Sequence, residues 1–394
     1  MPLKLRLLMT ALLISFCGLA GAQTISIGVI NTYSGPFATF GDLIEKGMRL
    51  YMKQNERNLP AGVKVELLTR DDGGPSPDKA KQLAQELIVR NGVQFLTGVV
   101  WTPNAMAIGA LATEAKVPFV VTNAAGSALT TTSPYIARVS LTLWQTCYPL
   151  GQWAAKQYKR AYIIVSDYSP GHDAEAAFEK GFTERGGIIV GKVRVPVVTN
   201  DFAPFLQRAK DAKPDALFSF VASGKTATQL IKTYAELGLD KAGVKFMGPG
   251  DVLTDEELPS MGDAALGAIS GHNYSTSGNR PANKAFLDAW HKEYGEKSTP
   301  SGMSVSAWDS MDAIYYAIRE QKGKVDGQRT MELLKQYKNP NSPRGPISID
   351  PETRDIIQNV YIREVRKVNG QLANVEMETI PNTKDYWKEF NAKK

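Results

Sequence analysis

The sequence predicts an α/β fold with two parallel β-sheets, each covered by helices on both faces. Short apolar runs typical of buried strands alternate with longer segments of helical periodicity, and this series occurs twice along the chain. The 394 residues are more than double a typical single domain, and 43% of them are hydrophobic, so the chain can bury sizeable cores. No low-complexity linker separates the two series. We therefore expect the two lobes to exchange chain segments.

The first series reads βαβαβαβ. Its second helix is marked most clearly, because Ser76, Pro77 and Asp78 supply an N-cap, a proline at the first helical position and an early acid. Asn91 and Gly92 end that helix in the manner of a left-handed C-cap. The predicted strands are 25–30, 63–68, 94–97 and 117–121, and the predicted helices are 42–53, 77–90 and 102–116.

The second series begins near Trp144 and repeats the alternation. Its predicted strands are 161–166, 188–195, 215–221 and 245–247, and its predicted helices are 173–185, 201–210 and 226–237. Two more helices, 281–294 and 304–319, precede two segments that read as strands, 346–349 and 359–368.

The first 22 residues read as a secretory signal. Lys4 and Arg6 precede an apolar run at 7–14, and small residues at 20–22 form an A-x-A exit. A transmembrane anchor needs about 20 apolar residues, and this stretch is interrupted by Ser and Gly. A lipid anchor on Cys17 is disfavoured by the bulky Phe16. We expect cleavage after Ala22 and a mature chain in the periplasm.

The charge and the cysteine count argue against a nucleic-acid-binding protein and against a disulfide-stabilised one. The 46 basic and 40 acidic residues give a formal charge of +6, and loss of Lys4 and Arg6 with the signal lowers it to +4. The basic residues alternate with acids along helices, which is typical of solvated faces and does not favour nucleic-acid binding. Only Cys147 would remain after cleavage, so an internal disulfide is excluded and Cys147 is interpreted as a buried apolar residue.

The loops after the predicted strands are rich in glycine, hydroxyl groups and aromatic rings. In parallel sheets, ligands bind where the strands end and helix N-termini present free N–H groups. Such neutral donors can hold a carboxylate, although each loop taken alone could be an ordinary turn. These loops are 31–36, 99–104, 122–127, 167–172, 222–225 and 248–251.

Catalytic and metal motifs are lacking. The three histidines stand far apart in sequence, with no metal-ligand spacing such as H-E-x-x-H. The segment 223–226, Ser-Gly-Lys-Thr, has the end of a P-loop, but position 219 is Ser where the upstream glycine is required. The sequence therefore predicts a protein that has no cofactor, no metal site and no enzymatic activity.

The chain resembles the periplasmic solute-binding proteins of ABC importers, of the branched-chain amino-acid type. The resemblance runs from about residue 25 to about residue 366. It is carried by motifs in a fixed order: Ser34-Gly35-Pro36 with Gly41, Asp71-Asp72, Asp201-Phe202, Phe205-Leu206, Pro214-Asp215, Met247-Gly248-Pro249 and Arg344-Gly345-Pro346.

This resemblance implies two Rossmann-like lobes of the type I periplasmic fold, joined by a multi-strand hinge. Lobe 1 would comprise 23–141 and 276–344, and lobe 2 would comprise 142–275 and 345–394. The resemblance also implies that loops 101–104 and 124–127 grip a ligand carboxylate and that an aromatic residue, here Tyr168, covers the ligand. The resulting ligand-binding set is Tyr33, Trp101, Thr102, Asn104, Ala125, Ser127, Tyr168, Ser223 and Asp251.

The sequence departs from the amino-acid binders at one point that affects the ligand. Where those relatives place an acid for the ligand ammonium, Gly250 stands, and Asp251 is one place late. An unpaired ammonium in a closed cleft would be costly, so the departure favours a plain carboxylate, with an aromatic acid as the hypothesis. If Asp251 or Asp167 faces the cleft, a branched-chain or hydrophobic amino acid remains possible.

The resemblance thus predicts an extracytoplasmic receptor, expected to be monomeric, that delivers a small carboxylate to the membrane permease of an ABC importer. A sensory ligand-binding module that feeds a signalling partner is the alternative. An exported enzyme would need a base and a nucleophile that converge in the cleft.

Overall fold

The computed structural model describes residues 23–391, which form two sheets with helices on their faces. The signal segment predicted at 1–22 lies outside these residues. None of the helices between residues 23 and 391 combines the length and apolar character needed to cross a membrane.

The first sheet has five parallel strands in the order β2-β1-β3-β4-β5. Side chains alternate between its faces, so Ile27 and Val29 pack under one layer of helices while Ile30 packs under the other. The strands are β1 (Gln23–Asn31), β2 (Val63–Asp71), β3 (Phe95–Gly98), β4 (Phe119–Val121) and β5 (Ile136–Arg138).

Helices from two distant parts of the chain cover this sheet. The helices α2 and α3 pack on one face, and α1 packs on the other together with α10, which comes from much later in the sequence. Their bounds are α1 (Ala38–Asn55), α2 (Pro77–Gln85, continued by a π-helical turn Glu86–Arg90), α3 (Thr102–Ala115), α9 (Pro281–Tyr294), α10 (Gly302–Glu320) and α11 (Gly327–Leu334).

The second sheet is mixed. Strands β6 to β10 are parallel, whereas β13 runs antiparallel to β10 and also pairs with β12 and β14. Its strands are β6 (Arg160–Ser166), β7 (Ile188–Val195), β8 (Ala216–Phe220), β9 (Lys245–Pro249), β10 (Ile269–His272), β11 (Lys338–Asn339), β12 (Ile347–Ile349), β13 (Ile356–Val368) and β14 (Gln371–Thr383). Its helices are α4 (Leu143–Ala154), α5 (Ser169–Thr183), α6 (Ala203–Asp211), α7 (Lys225–Glu236), α8 (Leu258–Met261) and α12 (Tyr386–Asn391).

The predicted α/β class is confirmed, and the seven predicted strands and helices of each series lie close to their observed positions. The antiparallel part of the second sheet was not predicted, nor were β5, β10 and α4. The chain passes from the first sheet to the second after β5, returns for α9 to α11, and joins the second sheet again at β11. The lobe boundaries at 141, 275 and 344 stay a proposal.

Candidate functional site

The strands of both sheets end at a cleft that holds two neighbouring pockets. Both are lined by Asn123, Asp251 and Met303, so they form one continuous site. The aromatic compartment is also lined by Phe40, Val100, Trp101, Tyr168 and residues 220–223. The polar compartment is also lined by Ser140, Leu141, Gly250, Thr254, Asp255, His272, Ser301, Gly302, Ser306 and Arg363.

Rings from both sides of the cleft line the aromatic compartment. Phe40 and Trp101 belong to the first lobe, and their ring centroids lie 6.4 Å apart. Tyr168 and Phe220 belong to the second lobe and stack with an interplanar angle of 14° at 6.0 Å. The Trp101 Nε1 donates to Thr32 Oγ1 at 3.0 Å, which fixes the indole in place. The compartment is therefore shaped for a flat, apolar body.

Arg363 brings a buried positive charge to the polar compartment. It lies on β13, is only 1% exposed, and donates to Ser270 Oγ at 3.1 Å and to the carbonyl oxygens of Tyr274 and Leu253. The other two fully buried arginines, Arg138 and Arg344, each form an ion pair at 2.7–2.8 Å. Arg363 forms none with the acids of residues 23–391.

His272, the last residue of β10, presents a hydrogen-bond donor to the same compartment. Burial, with a smaller contribution from Arg363, holds the pKa of His272 well below its usual range, so the ring is neutral. Its Nδ1 accepts from the Tyr274 N–H at 3.3 Å, which leaves the ring proton on Nε2.

Asp251 lies at the junction of the two compartments. Its backbone carbonyl accepts from Ser223 Oγ at 2.6 Å, whereas its Oδ2 is buried without a hydrogen-bond partner among the described residues. Burial raises the pKa of Asp251 to about 6, and Arg363 opposes that rise. Asp251 is thus a carboxylate acceptor at neutral pH, left available for a ligand.

Close packing fixes these groups. A Cβ at Gly250 would overlap the His272 ring and the Arg363 guanidinium, so only glycine lets the backbone approach them. The start of α10 closes the compartment. The start of α10 is fixed by a capping box. In this box Ser301 Oγ accepts from the Met303 N–H, and Ser304 Oγ accepts from the Ser301 N–H.

Comparison with known proteins identifies the type of molecule that has this cleft. Residues 24–371 match the family described as periplasmic binding protein. The chain belongs to the periplasmic binding protein family.

Relatives of known structure support this assignment over nearly the whole chain. The chain is 46% identical to a solute-binding protein of an ABC transporter from Rhodopseudomonas palustris BisB5, solved with 3,4-dihydroxybenzoic acid. The TM-score is 0.89, and the match covers 93% of this chain and 99% of that one. A second R. palustris solute-binding protein, solved with 4-hydroxybenzoate, is 44% identical with a TM-score of 0.90 and the same coverage.

Another relative is named after branched-chain amino acids and not after an aromatic acid. Leu/Ile/Val-binding protein homolog 6 from Brucella melitensis is 40% identical over 368 residues, which cover 93% of this chain and 94% of that protein. The predicted resemblance to solute-binding proteins of ABC importers, and the type I periplasmic fold, are confirmed.

Some of the residues predicted to bind ligand line the cleft of this periplasmic binding protein. Trp101, Tyr168 and Ser223 line the aromatic compartment, and Asp251 lines both compartments. Asp167 does not: its side chain is 59% exposed and pairs with His172 at 2.7 Å. An amino-acid ligand required that Asp251 or Asp167 face the cleft. Asp251 faces it and Asp167 does not.

The structure places the other predicted residues behind the cleft wall, where they bind neighbouring protein groups. Thr102 Oγ1 accepts from the Gly126 N–H at 3.0 Å, and Asn104 Nδ2 donates to Asp72 Oδ2 at 2.9 Å. Ser127 donates from its N–H to Asp173 Oδ2 at 2.8 Å. These contacts position the two loops after β3 and β4.

The remaining two predicted residues are also outside both compartments. The Ala125 carbonyl accepts from the Leu143 N–H at 3.4 Å. The Tyr33 ring lies in a separate surface groove with residues of α1 and Tyr294, and the Tyr33 N–H donates to Asp71 Oδ1 at 2.8 Å.

Sequence reasoning missed most of the polar compartment. Arg363 and His272 meet through antiparallel pairing of β10 with β13, which the repeated βα pattern does not predict. The start of α10 was predicted within two residues, and its Ser-x-x-Ser capping pattern was a usable signal for a helix N-terminus at the cleft. Residues 23–391 hold no cluster of three or more His, Cys, Asp or Glu side chains that could bind a metal ion.

Proposed function

We propose that this chain is the receptor of an ABC importer and captures an aromatic carboxylate in its interlobe cleft for delivery to the permease. The observation that carries the proposal is the aromatic compartment, where rings from both lobes line one cavity beside a buried guanidinium. The two R. palustris relatives, solved with hydroxylated benzoates at 44–46% identity, support this ligand class.

The ring of the ligand would lie between the aromatic pairs of the two lobes. Phe40 and Trp101 on one side and Tyr168 and Phe220 on the other offer apolar faces to a planar group. Because each lobe supplies half of the wall, a bound ring stabilises the closed arrangement of the lobes. Offset or edge-on ring contacts contribute about 0.5–1.5 kcal/mol each beyond the burial of apolar area.

The carboxylate end would face the N-terminus of α3. This 14-residue helix begins directly after Trp101, and no side chain caps its first N–H groups. Free N–H groups and the helix dipole favour an anion at such an end. Asn123, from the loop after β4, lines both compartments beside it.

A branched-chain amino acid is the second candidate, and Asp251 is the observation that favours it. Its unpartnered carboxylate could pair with a ligand ammonium. The same compartment holds the Arg363 guanidinium, however, and that cation has no ion-pair partner of its own in residues 23–391. An ammonium there would meet a like charge in a desolvated site, so Arg363 favours a ligand without one.

Several accompanying features belong to the same proposal. The receptor would act as a monomer in the periplasm after cleavage at Ala22, without chemical turnover of its ligand. Relatives in this family are binding proteins, which supports a role in capture and delivery. A sensory module would differ only in its docking partner.

Calorimetry and thermal unfolding with a small ligand panel test the proposal. A ligand at 100 times its dissociation constant should add about 2.7 kcal/mol of stability. We expect benzoate-type acids, including 4-hydroxybenzoate, to bind in the micromolar range or tighter and to raise the Tm. Tight binding of leucine with no response to any benzoate-type acid would contradict the proposal and favour the second candidate.

A further inference from the structure

The polar compartment contains unused donors and an unused acceptor side by side. Arg363 has five N–H groups, of which three donate to Ser270 Oγ and to the Tyr274 and Leu253 carbonyls. Two guanidinium N–H groups therefore remain. His272 adds the Nε2 proton, since its Nδ1 is occupied by the Tyr274 N–H. Both side chains are more than nine-tenths buried.

The acceptor side is formed by carboxylates. Asp251 Oδ2 has no partner within the described part of the chain. Asp255 lies in the same lining, but its oxygens are engaged by Asn374 Nδ2 at 3.1 Å and by the Thr276 N–H at 3.2 Å. Asp251 is therefore the free acceptor, and glycine at 250 brings its backbone directly against His272 and Arg363.

Few chemical groups satisfy both sides at once. A carboxylate placed here would meet Asp251 and Asp255, and an ammonium would meet Arg363, so each charged group faces a like charge. A bare C–H or a methyl group would leave the Asp251 acceptor and the Arg363 and His272 donors unpaired in a buried site. A neutral hydroxyl both donates and accepts, and it can bond to both sides.

We propose that the polar compartment recognises a hydroxyl group on the aromatic ring of the ligand. The hydroxyl donates to Asp251 Oδ2 and accepts from Arg363 or from His272 Nε2. This inference rests on the proposed function, in which the ring occupies the aromatic compartment and the carboxylate faces α3. It makes Asp251, His272 and Arg363 the residues that distinguish hydroxylated from plain aromatic acids.

The ligand side of the test uses 4-hydroxybenzoate, 4-methylbenzoate and benzoate with the wild-type protein. The methyl compound is close in size to the hydroxyl compound, so calorimetric affinities isolate the hydrogen bonds. We expect 4-hydroxybenzoate to bind about 100-fold more tightly than either other acid, because a site built for a hydroxyl rejects analogues that lack it. A preference of less than tenfold overturns the inference and leaves the proposed function intact. Failure of all three acids to bind overturns both.

The protein side of the test removes the acceptor. Asp251→Leu should reduce the preference for 4-hydroxybenzoate over 4-methylbenzoate to less than tenfold, because the ligand hydroxyl loses its acceptor. Asp263→Leu is the matched control, because Asp263 is 70% exposed and outside the lining; it should keep the full preference. If Asp251→Leu does not fold, Asp251→Asn replaces it and should lower the preference about tenfold, since a charged acceptor bonds about twice as strongly as a neutral one. An unchanged preference in the folded variant overturns the role of Asp251.

Discussion

Arg344 and Asp309 form an ion pair sealed from solvent, with Arg344 Nε 2.8 Å from Asp309 Oδ2. The same guanidinium donates to the Ser140 carbonyl at 3.1 Å and to Gln358 Oε1 at 2.9 Å. Asp309 lies on α10, Ser140 on the first passage between the sheets, and Gln358 on β13. One buried side chain therefore ties together the segments that meet behind the cleft.

Loss of that side chain should destabilise the whole protein. We expect Arg344→Met to lower the free energy of unfolding by about 3–5 kcal/mol, because Asp309 is left as an uncompensated buried charge. The double variant Arg344→Met/Asp309→Leu should recover part of this loss. Urea unfolding followed by circular dichroism measures both. Arg329→Met, at an exposed position, is the control. If Arg344→Met lowers the free energy of unfolding by less than about 1 kcal/mol, Arg344 does not hold these segments together.

Trp101 should dominate ligand affinity among the residues of the loop after β3. Trp101→Ala removes a ring that lines the cavity, and we expect the affinity for 4-hydroxybenzoate to fall about 100-fold, as for a buried aromatic anchor. Tyr33→Ala is a matched control, because Tyr33 lies in a separate surface groove. Its affinity, measured by calorimetry, should stay within threefold of wild type. Equal losses in the two variants would place Tyr33 in the site after all.

Gly250 should tolerate no side chain. In Gly250→Ala the new Cβ displaces His272 and Arg363, so we expect at least a tenfold loss of ligand affinity and a stability loss of about 1–3 kcal/mol. Gly238→Ala is the control, since Gly238 has a φ of +69° and open space around its Cβ position. That variant should lose about 1 kcal/mol from backbone strain and keep its affinity. Wild-type affinity in Gly250→Ala would show that the two side chains do not touch the ligand.

Glu256 should make the unliganded protein less stable as the pH rises. Burial raises the pKa of Glu256 to about 8, and its Oε2 has no partner among residues 23–391. Since the folded-state pKa exceeds the unfolded one, the protonated form favours folding at low pH. That contribution is lost as the pH rises through 8.

Glu256→Gln removes this dependence. Relative to wild type, the variant should gain about 4 kcal/mol of stability between pH 5 and pH 9, measured by urea unfolding at each pH. Glu296→Gln, with a side chain that is 90% exposed, controls for the amide itself. A difference between Glu256→Gln and wild type that stays constant with pH would refute the assignment.

The parts of the fold that were predictable are those with a strong periodic pattern. Strand 188–195 and helix 281–294 were predicted at their observed bounds, because apolar alternation and an N1 proline mark them. The helix α4 was missed because nearly all its residues are buried and Pro149 interrupts it, so it lacks the polar face that defines a helical pattern. The strand β10 is only four residues long.

The residues of the candidate site also fall into a group that the sequence could locate and a group that it could not. Trp101, Tyr168 and Asp251 follow parallel strands, and strand ends can be located from the sequence alone. Arg363 lies within a 13-residue strand whose role depends on its antiparallel partner, and no local pattern states which strand that partner will be. Thr102 and Ser127 occupy loops of the expected kind, but their hydrogen bonds to Gly126 and Asp173 depend on contacts across the fold.

The repeated passage of the chain between the two sheets also limits how this protein can be recombined. Trp101, Tyr168, His272, Met303 and Arg363 converge on one cleft from every stretch of the gene between codons 101 and 363. A chimera that exchanges one half of the gene with a relative would combine mismatched walls of the same cavity. Transplanting ligand preference therefore requires exchanging several short inserts together, and a single crossover point will not suffice.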